Sequence, residues 1–116
     1  MMNGGTRNIL NREIMIDLIG NEPELIKQFE IDFLKQAKVS LQKIADMYNA
    51  SQIGAIAEEA HFLKTSAKAV GAEQISHLLQ ALEMSGSEHN KPECRKLILQ
   101  TRVALHQIHG VISNDK

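Results

Sequence analysis

The sequence predicts an all-α protein, an antiparallel four-helix bundle with a short additional N-terminal helix. Three observations carry that reading. Apolar residues recur at spacings of three and four along four long segments, the period of one helix face. Aromatics make up only 3% and Trp is absent, so Leu, Ile and Ala must fill the core, which suits helices better than a sandwich or barrel. Two prolines and seven glycines in 116 residues leave room for long uninterrupted helices.

The elements follow in order. Residues 1–10 are polar and contain two glycines, and read as a flexible N-terminal tail; residues 11–116 read as a single helical domain. A short helix is expected over 11–19, with Asn11 as its cap, Ile14 and Leu18 on one face and Gly20 at its end. Asn21-Glu-Pro-Glu starts a second helix, capped by Asn21, with Pro23 in the first turn and acids that complement the dipole. Its stripe is Ile26, Phe29, Phe33, Ala37, Leu41, Ile44 and Tyr48. Ser51 is expected to cap a third helix whose stripe runs Ile53, Ile56, Ala60, Leu63, Ala67 and Val70, closed by Gly71. A fourth spans about 73–85 with Ile75, Leu78, Leu79 and Leu82 inward, and 86–91 reads as a loop. Pro92 suits the first turn of a last helix that turns Cys94, Leu97, Ile98, Leu105, Ile108 and Ile112 inward. Connections of a few residues make successive helices antiparallel.

Composition removes several function classes. Thirteen basic and 14 acidic residues give a net charge of −1, with no basic tract for nucleic acid or an anionic membrane. No apolar run approaches the roughly 20 residues that span a bilayer. The N-terminus lacks a signal-peptide pattern, and the lone Cys94 has no disulfide partner. A cytoplasmic monomer is the expectation.

The third helix carries the chemistry. On a wheel of about 100° per residue, His61, Lys64 and Lys68 stack along one flank of its apolar stripe, with Thr65 beside them. Three readings compete for His61. It can be a boundary histidine among surface lysines in an adaptor without chemistry. It can be a metal ligand, since Glu58 and His61 form a Glu-x-x-His pair, but di-iron bundles need a second such pair and two more glutamates, and lysines repel a cation. Or it can be a nucleophile whose neutral imidazole attacks phosphorus, with nearby cations stabilising the phosphoryl oxygens. His106 and His109, one turn apart on the last helix, read as surface histidines rather than a metal pair, and Phe62 as covered by a neighbouring helix in preference to forming part of a docking surface.

The third and fourth helices form a hairpin around Gly71-Ala72. His61 lies eleven residues before Ala72 and Glu83 eleven after it, so the two are expected to face each other. A carboxylate there can accept a hydrogen bond from Nδ1–H, leaving Nε2 free as the nucleophile.

The segment from Ala60 to Ala72, AHFLKTSAKAVGA, followed by Ile75, Leu78, Leu79, Leu82 and Glu83, resembles the signature of histidine-containing phosphotransfer (HPt) domains. A weaker resemblance runs from Ile14 to Ile112 and includes Gly20, Leu25 and Phe29. The resemblance implies a four-helix bundle, His61 as phosphoacceptor and Lys64 as a phosphoryl-stabilising cation. It implies a phosphorelay carrier rather than an enzyme with its own ATP site. The implied partners are response-regulator receiver domains or a hybrid sensor histidine kinase. No cofactor is expected on this chain; Mg2+ is expected on the partner receiver. Many members have glycine directly after the lysine, where this chain has Thr65, a β-branched side chain that narrows a partner's approach. The chain carries neither a Gly-x-x-x-x-Gly-Lys phosphate loop nor a kinase glycine loop.

Overall fold

The computed structural model describes residues 8–114, and the helices among them are α1 (Glu13–Ile19), α2 (Pro23–Asn49), α3 (Ile53–Val70), α4 (Glu73–Ser87) and α5 (Lys91–Asn114). Each long helix packs on two neighbours, closing the ring α2–α3–α4–α5, and α1 lies against α3. The expected all-α bundle with a short leading helix is the observed fold. The ring surrounds a core of aliphatic side chains in which Ile44, Ile56, Leu63, Leu79, Leu82 and Ile108 are fully buried. None of the helices is long and apolar enough to cross a membrane among the described residues.

The stripes of α3 and α5 are buried much as their periodicity predicts, with Leu105 only partly covered. Two other expectations are corrected. In α1 the buried residue is Met15, while Leu18 is 64% exposed. In α2, Phe29 is exposed, because the fully buried residue beside it on that turn is Glu30. A buried carboxylate is costly unless paired, and Arg12 pairs with it through both Nε (2.7 Å) and Nη2 (3.0 Å), tying the start of α1 to α2.

Two expected caps are also corrected. Neither Asn21 nor Ser51 caps a helix: α2 starts after Glu22 and α3 after Gln52, both without a side-chain cap. Ser51 sits in left-handed backbone (φ 60°) and accepts a hydrogen bond from Lys91 Nζ at 3.2 Å. Asn11 does bond near the start of α1, its Oδ1 accepting from the Glu13 N–H at 3.1 Å.

Of the expected tail, residues 1–7 lie outside the described residues, while 8–10 are docked. The Asn8 carbonyl accepts from the Gln74 N–H at 3.0 Å, Glu73 accepts from Asn8 and Asn11 side chains, and Ile9 and Leu10 pack on the core. This segment crosses the α3–α4 turn, where Gly71 adopts φ 83°. The Asn11 N–H donates to the Gly71 carbonyl at 2.7 Å, and a Cβ at Gly71 would stand 2.0 Å from the Asn11 oxygen. Glycine is required there by both backbone conformation and space.

Candidate functional site

The α3–α4 hairpin builds the site. Gly71 closes α3 with its N–H bonded back to Lys68, and α4 begins at Glu73, after only Gly71 and Ala72. Small residues then let the two helices approach closely. A Cβ on Gly86 of α4 would lie 2.9 Å from the Ala57 backbone nitrogen of α3. This contact explains why α4 runs through Gly86 to Ser87 rather than stopping at 85 as expected: the glycine is a packing residue, not a breaker.

Within that seam, His61 meets Glu83. His61 Nδ1 lies 3.1 Å from Glu83 Oε2 and 3.2 Å from Oε1. The imidazole is otherwise open, with its side chain 60% exposed. A neutral ring bonded in this way donates Nδ1–H to the carboxylate and keeps the Nε2 lone pair. Thr65 Oγ1 donates back to the His61 carbonyl at 3.2 Å, so its hydroxyl is turned to its own helix.

Lys64 is one turn along α3 and only 8% exposed. Its ammonium donates to Glu83 Oε1 at 2.8 Å and to Gln80 Oε1 at 2.7 Å. Glu83 is thus shared between an ammonium and an imidazole. The Lys64 hydrogen bond holds the Glu83 carboxyl below the usual carboxylate range; partial burial opposes this, and the His61 contact adds to it.

The structure therefore brings together His61, Lys64 and Glu83 and leaves Lys68 out. Two helical turns put Lys68 about 10 Å along the axis from His61. It is exposed beside Glu73, Ser76, His77 and Gln80, and among the described residues its ammonium makes no hydrogen bond or ion pair. The sequence reading missed Gln80. The register that pairs His61 with Glu83 also pairs Lys64 with Gln80, eight residues either side of Ala72. Phe62 is the last correction: it is 58% exposed rather than covered, as is Met84 (54%) next to Glu83.

Among the described residues, no three His, Cys, Asp or Glu side chains come together as a metal cage. Glu58 is exposed on α3. His106 and His109 line an open groove of about 470 Å3 between α2 and α5 with Lys38, Arg102, Leu41 and Leu105, two cations that disfavour a metal. Cys94 is buried, which pushes its thiol up.

The Hpt domain family model matches residues 28–114. Among solved structures, the chain is similar to the crystal structure of histidine-containing phosphotransfer protein B (HptB) from Pseudomonas aeruginosa PAO1, with a TM-score of 0.84, 16% identity, and coverage of 93% of this chain and 94% of that one. At that identity the likeness speaks for the fold. No curated protein matches the chain in sequence.

Proposed function

The chain belongs to the Hpt domain family, and from that premise we propose that it carries a phosphoryl group on His61, exchanging it with receiver-domain aspartates. Hpt domains are phosphocarrier modules of two-component signalling rather than enzymes. The observation that carries the residue assignment is the exposed imidazole whose Nδ1 is bonded to Glu83.

The step follows from that geometry. The Nε2 lone pair attacks the phosphorus of an aspartyl phosphate. The N–P bond forms, the bond from phosphorus to the aspartyl oxygen breaks, and its electron pair stays on the aspartate carboxylate. The proton remains on Nδ1, so the ring becomes cationic, and the Glu83 carboxylate beside it offsets that charge. Lys64 fixes Glu83 and lends its charge to the phosphoryl oxygens. Transfer to a second receiver is the reverse step. Mg2+ belongs to the receiver's acidic pocket, and the carrier is proposed to be monomeric and cytoplasmic.

The test is incubation with a phosphorylated receiver domain followed by intact mass. A gain of one phosphoryl group that is lost in acid is expected. His61→Gln should abolish the gain and leave helical content unchanged, since an exposed side chain leaves no cavity. Labelling of the variant at the wild-type level would sink the assignment.

A further inference from the structure

An ammonium on a flexible four-carbon stem does not stay nearly buried without partners. Lys64 has two, both from α4 and three residues apart on one face of that helix: Glu83 and Gln80. The Gln80 contact has a defined sense. An ammonium only donates, so the carboxamide must present its oxygen, as it does at 2.7 Å.

The two contacts have different consequences. Glu83 Oε1 takes the Lys64 hydrogen bond and also lies 3.2 Å from His61 Nδ1. A carboxylate held only by an exposed imidazole is free to rotate toward water. Held also by an ammonium, it is fixed, provided that the ammonium itself is fixed. Gln80 supplies that second anchor. With two of the three ammonium donors directed to α4, the third is the one left for an incoming phosphoryl oxygen.

We propose that Gln80 is a positioning residue of the phosphoryl-transfer site: its carboxamide oxygen pins Lys64 against Glu83, and through Glu83 it sets the tautomer and orientation of the His61 ring. This rests on the reading of His61 as the phosphoacceptor. The chain runs Gln80 to Lys64 to Glu83 to His61, and Gln80 itself touches neither the ring nor the phosphoryl group.

The test uses the full chain and potassium phosphoramidate as phosphoryl donor, so that no cognate receiver is needed. Phosphate on His61 is followed by mass mapping, and the ring tautomer by long-range 1H–15N NMR. Gln80 is exposed, so Gln80→Ala should keep the wild-type melting curve. It should slow His61 labelling roughly fivefold, less than the full loss of a charge-assisted hydrogen bond because water can reach the ammonium in place of the exposed carboxamide, and reduce the share of the Nδ1–H tautomer. Gln80→Glu keeps an acceptor oxygen for the ammonium and should restore both. In a Lys64→Met background, Gln80→Ala should have no further effect, because the residue through which it acts is gone. Unchanged rate and tautomer in Gln80→Ala, or an equal loss in both backgrounds, would overturn the role of Gln80. If wild type fails to acquire acid-labile phosphate on His61, the phosphoacceptor reading falls instead.

Discussion

At the scale of single residues, the proposed site separates into His61 as the nucleophile, the Glu83 carboxylate that would orient it and the Lys64 ammonium bonded to that carboxylate. Lys64→Ala should slow labelling of His61 by about tenfold, the loss of one charge-assisted hydrogen bond, because its ammonium is bound to Glu83. Lys68→Ala should change it less than about twofold, an exposed charge two turns away being screened by water. Equal effects of the two substitutions in phosphoramidate kinetics would contradict the geometry. The Glu83 carboxyl is held low in the folded state, chiefly by Lys64. Its bonds therefore contribute stability above the usual carboxylate range and are lost as pH falls through its depressed value. The melting temperature of Glu83→Gln should lie below wild type near neutral pH, by the equivalent of at most about 1 kcal/mol, and the gap should close in acid. A gap that persists in acid would mean that Glu83 stabilises the fold through packing rather than charge. His61, Lys64 and Glu83 were legible in the sequence because helix period and hairpin register are simple counts. Lys68 shares the ridge of His61 and Lys64, but a shared ridge says nothing about reach, and its distance from His61 was not legible. Gln80 was overlooked because a polar residue on a helix surface looks solvated until its partner is known.

At the scale of elements, most of the buried stripes were legible, and so were the ends of α1 and α3 at Gly20 and Gly71, but the starts of α2 and α3 were not. Asn21 and Ser51 have good capping side chains, yet the backbone enters α2 and α3 one residue later, and tertiary packing rather than the cap decides where those helices begin. Glycine misled in one place and informed in the other. Gly71 reads as a helix stop and is one, at φ 83°. Gly86 reads as a stop and instead lies inside α4 against the Ala57 backbone. These two positions make the α3–α4 hairpin the element most sensitive to a single methyl group. Gly71→Ala should destabilise by about 2 kcal/mol or more, since strained backbone and a steric conflict act together. Gly86→Ala should cost about 1–3 kcal/mol through overpacking. Denaturant titration gives both numbers. Gly86→Ala should also lengthen the His61–Glu83 contact and slow labelling, since it pushes apart the helices that hold the pair. A stable Gly86→Ala protein with wild-type kinetics would show that the close approach is not what aligns the site.

At the scale of the whole molecule, the closed ring of helices buries its aliphatic residues inward and leaves His61 on an outer seam between α3 and α4. The Arg12–Glu30 pair and the 8–11 segment brace the outside of that ring, and neither was legible, because a buried carboxylate in an otherwise apolar stripe breaks the pattern from which the stripe is read. If His61 is the phosphoacceptor, so exposed a nucleophile would depend on its partner for the rest of the reaction. Transfer from a phosphorylated receiver should therefore stop when Mg2+ is chelated, while labelling by phosphoramidate continues; magnesium dependence of both reactions would place the ion on this chain. A receiver that reaches His61 would also cover the seam, and the surface around it offers apolar contacts. Phe62 follows His61 on α3 and Met84 follows Glu83 on α4, and each is more than half exposed. A large exposed aromatic beside a polar reactive group matches an interface anchor, with apolar contact at the centre and polar residues around it. Its removal costs the fold little, since most of the ring already faces water. Phe62→Ala should raise the receiver concentration needed for half-maximal transfer by about tenfold, the equivalent of roughly 1.4 kcal/mol of docking energy. It should leave the melting curve and the phosphoramidate rate unchanged, because neither requires a docked partner. A fall in the phosphoramidate rate would assign Phe62 to the site itself, and an unchanged receiver dependence would place the docking surface elsewhere on the bundle.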